Sequence, residues 1–220
     1  MVDFNKQPFY AWQDLVRIVE ILRLPGGCPW DREQTHTSIR DNLLEECCEA
    51  IEAIDNRDMA ALCEELGDVL LQVFLHARMA EEAQAFALRE IVDGISKKLI
   101  ERHPHVFGQV AAESTEEVLQ NWDAIKRASK GHGSRADSMR AVSRGLPGFM
   151  RADKLLARAE KARPVSSESA VPMTEEQLGE QLLELAVRAR VSGISPDRAL
   201  HGACDRFIER FAAEEAAGKG

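Results

Sequence analysis

Apolar residues recur along this chain at helical spacing. At roughly 100° per residue, Trp12, Leu15, Val16, Ile18, Val19 and Leu22 share one face of a predicted helix over 8–24, which Pro25-Gly26-Gly27 ends. A second stripe, Leu43, Cys47, Ile51 and Ile54, predicts a helix that starts at Thr37 or Ser38. A third, Leu62, Leu66, Val69, Leu70 and Val73, predicts a helix over Met59–Glu82. After Asp68 that helix is apolar nearly all round, so it is expected between neighbours. Asn56-Arg57-Asp58 connects the two, and the second and third stripes are expected to pack against each other. Further helices are predicted over 88–102, over 114–130 from the capping pattern Ser114-Thr115-Glu116-Glu117, and over 149–161. The stretches 129–140 and 163–172, rich in Gly, Ser, Pro and basic residues, read as connections. The expected fold is all-α, an antiparallel helical bundle.

Charge changes this picture in one window. From Asp41 to Asp68 there are ten acidic residues and one basic residue, Arg57; the window alone carries −9, the formal charge of the whole chain. Glu46 with Glu49, and Glu65 with Asp68, stand three apart, so each pair meets on one side of its helix. Both pairs have the same angular offset from their own apolar stripe, which lets them converge if the stripes pack. Like charges at this spacing destabilise a helix, and shielded carboxylates need a counter-charge. A solvated acidic face is the plain alternative, but it lacks cationic partners. Four carboxylates at one point make a hard, oxygen-rich site suited to Mg²⁺ or Mn²⁺. Gly67, inside the second acidic helix, costs about 1 kcal/mol against Ala; it either admits a close neighbour or is neutral.

Other residues have two readings each. Lys97, Lys98 and Arg102 close the 88–102 helix, where cations answer the helix dipole; Lys98 and Arg102 also share a face that could take phosphate oxygens. His103 and His105 are read as capping. Trp122 and Lys126, four apart, are either a core Trp with a solvated Lys or a stacking face beside a phosphate contact. Trp30, in the loop over 28–36, is read from its own physics as a core residue. The acid excess argues against nucleic acid as a partner. Five cysteines without a CxxC pair read as reduced thiols of a cytoplasmic protein, and no signal peptide or membrane-spanning run is visible.

The segments LPGGCPWDREQTH, LLEECCEAIEAI, EELGDVLLQVFLHARMA, KKLIERHPHVFG and NWDAIKR, in this order, resemble the MazG family of nucleoside triphosphate pyrophosphohydrolases over about the first 130 residues. The resemblance implies a dimer of helical bundles and hydrolysis of a nucleoside triphosphate to a monophosphate and pyrophosphate. It implies that Glu46, Glu49, Glu65 and Asp68 hold Mg²⁺, and that Lys98, Arg102, Trp122 and Lys126 contact the nucleotide. The loop carrying Trp30 borders the active site in the family, which makes Trp30 a nucleotide contact too. Glu45 would orient or deprotonate the attacking water, a role open equally to Glu52 and Glu64.

The end of the chain repeats its middle. Glu176-Gln177-Leu178-Gly179-Glu180 mirrors Glu64-Glu65-Leu66-Gly67-Asp68, and Ala203 to Arg210 mirrors the stretch around Lys98 and Arg102. Gln177 replaces Glu65, no EExxE helix precedes it, and no Trp-Lys pair follows. The expected organisation is a catalytic domain over 1–130, a linker with one helix over 131–173 and a truncated, degenerate repeat over 174–220. Two rivals remain. A di-iron bundle needs two Glu-x-x-His motifs, and only Glu33 with His36 occurs. A helical scaffold or nucleotide sensor would bind without turnover.

Overall fold

The structure is a computed structural model that describes residues 4–110, 112, 114–129, 134–162 and 172–218. It divides into two compact units, Met1–Val110 and Ala111–Gly220. The described residues are helical, with no strand among them.

The first unit begins with α1 (Trp12–Arg23), α2 (Pro29–Glu33) and α3 (Arg40–Asp55). It continues with α4 (Met59–Glu82), α5 (Leu88–Arg102) and the single turn α6 (Pro104–Phe107). Local chemistry sets these boundaries. The Asp14 carboxylate accepts the Ala11 N–H at 2.7 Å, closing the start of α1. Pro29 occupies the first turn of α2, where its missing N–H costs nothing. Arg57 turns the chain between α3 and α4 with φ of 56°, and Asp58 caps α4 by accepting the Ala60 and Ala61 N–H groups at 3.0 Å.

The core of this unit lies where α1 crosses α4: Val19, Ile39, Phe74, Leu75 and Met79 are buried together. Arg23, nearly buried, ties three segments. It pairs with Glu82 at 2.9 Å and donates to the carbonyls of Asp31 and Gln34. That clamp fixes the α2 loop on the α1–α4 layer. The Arg23 guanidinium, with help from Arg78, holds the Glu82 carboxyl below the usual carboxylate range.

The second unit contains α7 (Thr115–Ser129), α8 (Arg135–Arg140), α9 (Gly148–Glu160), α10 (Glu175–Val191) and α11 (Pro196–Ala216). The stretch expected to be a linker with one helix supplies two helices, α8 and α9, that pack with α11. Met139, Leu155, Ala159, Cys204, Ile208 and Phe211 form their shared core. Glu215 accepts the N–H groups of Arg135 and Ala136 at 3.0 and 3.1 Å, capping α8 from α11. Arg151 is only 2 % exposed and donates to Asp205 at 2.7 Å and to the His201 carbonyl at 3.2 Å. By contrast, α10 buries no residue.

Candidate functional site

The α3–α4 hairpin brings three expected ligands together. Glu46, Glu49 and Glu65 each offer a carboxylate oxygen, and the three oxygens lie within 4.8 Å of one another. Asp68, half-buried one turn beyond Glu65, adds its charge to the cluster. Burial pushes the Glu46 carboxyl above the usual range, the charges of Asp68 and Glu49 push it further, and a hydrogen bond from Gln72 opposes the shift. Glu65 is also raised, first by desolvation and then by Glu49, Asp68, Glu64 and Glu46. Among the described residues none of these four carboxylates forms an ion pair. An all-oxygen donor set with surplus negative charge fits a hard divalent cation, Mg²⁺ or Mn²⁺.

The packing that builds this cluster differs from the expected one. Leu43, Leu62, Val69 and Val73 are half-buried, as stripe residues should be, but Cys47, Ile51, Ile54, Leu66 and Leu70 are exposed. The buried residues of α3 are Ala50 and Ala53, and α4 is its principal partner. Small side chains let the two helices approach closely, which carries the carboxylates on the same side into range of one another. The large apolar residues are left on an outer face. Ala53→Leu is therefore expected to overpack the seam, costing about 1–3 kcal/mol in urea unfolding and cutting catalysis by spreading the carboxylates. A variant with unchanged stability would show that Ala53 does not set the helix spacing.

Other expected site residues are placed as follows. Glu45, Glu52 and Glu64 are exposed on the same hairpin. Lys98 is exposed and Arg102 half-buried in the last turns of α5, while Lys97 is engaged with Asp93 at 2.7 Å. His103 donates from Nδ1 to the Leu99 carbonyl at 2.6 Å, a capping role. Trp30 is 58 % exposed on α2, which corrects its reading as a core residue: the Arg23 clamp holds the α2 backbone, so the indole is not needed for packing. Trp122 is half-buried on α7, in the second unit. Lys126 lies on the same helix, and its side chain falls outside the described residues. A Cβ at Gly67 would meet nothing within 4 Å, so no neighbouring helix of this unit requires the glycine.

Two features escaped the sequence reading. Gln72 is buried on α4, and its amide opposes the upward shift of the Glu46 carboxyl; a lone amide inside the apolar run Val69–Leu75 was its visible signal. His36 and His76 stack with ring centroids 5.1 Å apart and Nδ1 atoms at 2.8 Å. Burial, then the charge of His36, lowers the pKa of His76. These residues are forty positions apart, and nothing in their spacing announces the pair.

A profile for the MazG nucleotide pyrophosphohydrolase domain matches residues 34–107, which contain the whole carboxylate cluster. The "Nucleoside triphosphate pyrophosphohydrolase/pyrophosphatase MazG" of Thermotoga maritima is 34% identical over 224 residues, covering 94% of this chain and 86% of that protein. The chain belongs to the MazG family. Another MazG relative, the "Nucleoside triphosphate pyrophosphohydrolase" of Escherichia coli K12, is 35% identical over 221 residues, with 90% of this chain and 84% of that one covered. The "Uncharacterized protein YabN" of Bacillus subtilis is 42% identical over 151 residues; the match takes 69% of this chain but only 31% of that protein. A solved structure of a mazG-related protein from Thermotoga maritima is 28% identical, covers 52% of this chain and 98% of its own, and has a TM-score of 0.46.

Proposed function

We propose that the α3–α4 hairpin hydrolyses a nucleoside triphosphate to a nucleoside monophosphate and pyrophosphate, NTP + H₂O → NMP + PPi, with Mg²⁺ held by Glu46, Glu49, Glu65 and Asp68. As a member of the MazG family the chain is a hydrolase of phosphoric anhydrides. The observation that carries the finer reading is the convergence of three unpaired carboxylate oxygens within 4.8 Å. A bound Mg²⁺ would supply charge neutralisation of the phosphate chain and an acidified water.

The chain's own residues do the remaining work. The buried Gln72 amide opposes the rise of the Glu46 carboxyl and so favours its charged, ion-binding form. Glu45, Glu52 or Glu64, exposed on the same hairpin, would take the proton of the attacking water. Lys98 and Arg102 would hold phosphate oxygens, and Trp30 would stack on the base; for Trp122 and Lys126, on α7, a nucleotide contact rests on the family resemblance alone. Most of the rate acceleration would come from electrostatics and positioning.

The exposed apolar residues of the hairpin, Ile51 and Ile54 at 56 % and Leu66 at 53 %, support a homodimer in which a second copy covers them. No described helix is long and apolar enough to cross a membrane, and the five cysteines form no disulfide; both suit the cytoplasmic setting proposed for the enzyme.

Product analysis tests the reading. With a panel of nucleoside triphosphates and Mg²⁺, ³¹P NMR is expected to show monophosphate and pyrophosphate in equal amounts. Diphosphate with orthophosphate would reject the pyrophosphohydrolase assignment. Binding without turnover of any nucleotide would leave a sensor.

A further inference from the structure

The second unit contains a concavity of about 840 Å³ lined by five arginines, Arg140, Arg144, Arg151, Arg206 and Arg210, and by two carboxylates, Asp205 and Glu209. Both carboxylates are already engaged. Asp205 accepts from Arg144 and from Arg151, each at 2.7 Å, and Glu209 pairs with Arg140 at 3.1 Å. Arg151 brings the buried end of this network. The Arg151 hydrogen bond leads the effects that hold the Asp205 carboxyl below the usual range, so it stays ionised and cannot relax the charge by taking a proton.

Arg206 and Arg210 are the surplus. They stand one turn apart on α11, exposed, and form no ion pair among the described residues. Two like charges at this spacing weaken a helix, and folding of this unit gives them no partner. With five guanidinium groups against two carboxylates, the concavity carries three net positive charges in a chain that is otherwise acidic. Its volume is that of a small-molecule site. Guanidinium forks are the side chains best matched to phosphate oxygens. A long nucleic acid would meet the repulsion of the remaining acidic surface, whereas a compact anion would meet only the concavity.

The internal repeat adds a second observation. Arg206 and Arg210 take the places of Lys98 and Arg102, and Gln177 takes that of Glu65. The cationic pair of the pattern survives here, while the place of Glu65 has lost its charge.

We propose that this concavity binds a diphosphate-bearing anion, as a nucleotide or as free pyrophosphate, without hydrolysing it. Arg206 and Arg210 grip the phosphoryl groups, while Arg140, Arg144 and Arg151, held by Glu209 and Asp205, supply a fixed positive wall. The proposal needs no divalent ion and stands whether or not the first unit turns over nucleotides.

The test is calorimetric titration of the full chain in excess EDTA with pyrophosphate, ADP and orthophosphate in turn. Wild type is expected to bind pyrophosphate or ADP at one equivalent and orthophosphate at least about tenfold more weakly. Arg206→Gln/Arg210→Gln is expected to lose at least about tenfold in affinity, roughly one good charge-assisted contact. Lys98→Ala/Arg102→Ala is expected to match wild type. Both arginines are exposed and form no ion pair among the described residues, so the double variant should melt at or slightly above wild type; should it not fold, Arg210→Gln alone serves for the same comparison. Pyrophosphate binding tighter than ADP identifies the free anion as the ligand, and the reverse identifies a nucleotide. Binding that survives loss of Arg206 and Arg210, binding lost with Lys98 and Arg102 instead, or no binding by wild type would each overturn the proposal.

Discussion

Glu49→Gln is expected to lower nucleoside triphosphate turnover by at least about a thousandfold while raising the melting temperature of the metal-free protein by about 2–4 °C. The two effects share one cause. Glu49 is exposed on α3, makes no ion pair among the described residues, and places an oxygen within 4.8 Å of those of Glu46 and Glu65. Its charge raises the pKa of both neighbours. Without a cation, that charge is repulsion and nothing else, so a neutral isostere relieves the fold. With a cation it would, on the proposed reading, be a ligand, and glutamine binds a hard ion far more weakly. Steady-state kinetics and melts in EDTA read the two effects separately. A variant that lost activity and stability together would mark Glu49 as a structural residue.

Mg²⁺ is expected to stabilise wild type near neutral pH by about 2.7 kcal/mol when present at a hundredfold excess over its dissociation constant. Glu49→Gln should lose most of that gain. The pH dependence follows from Glu46 and Glu65, whose carboxyls bind protons more tightly in the folded state than the ordinary value near 4.3. For such groups the metal-free fold gains stability as pH falls through the raised values towards about 4.3, and that contribution is lost as pH rises through them. Mg²⁺ competes with the same protons, so its benefit should shrink over the same acidic interval. Glu82, Glu90, Asp137 and Asp205 are shifted the other way. Their stabilisation is lost only as pH falls through their own, lower values, a separate window. Paired melts between pH 4.5 and pH 8, in Mg²⁺ and in EDTA, check this; two parallel curves would show that the ion does not bind at Glu46 and Glu65.

The helices α1, α3, α4, α5, α7 and α9 were legible in the sequence because each has its own local cause, whereas the short α2 and α8 lie in stretches read as loop and connection. The predicted Met59–Glu82 helix is α4 to the residue, with Asp58 as its cap. The acidic helix begins at Arg40, a little later than expected, because residues 36–39 form a turn whose Ile39 is claimed by the core. The face used by each helix was less legible. Periodicity marks the side that seeks burial, but it does not say what will cover it. Ile51, Ile54 and Leu66 made the more prominent stripe, yet Ala50 and Ala53 made the seam. The approach of carboxylates from both helices was visible in their charge and spacing. The Arg23 clamp on the α2 loop, and the pairing of His36 with His76, depend on contacts between distant positions, and no local pattern encodes them.

Glu46 and Glu65 are nineteen positions apart, joined through a three-residue turn held by Arg57 and the Asp58 cap. A cation that gathers ligands from remote segments must offset the entropy of closing a long loop. Here the helix pair has already lost that entropy in folding, before any ion arrives. On the proposed reading, affinity at such a site would be governed by charge and dehydration instead of chain topology, and the ion would leave and return without the hairpin having to reassemble.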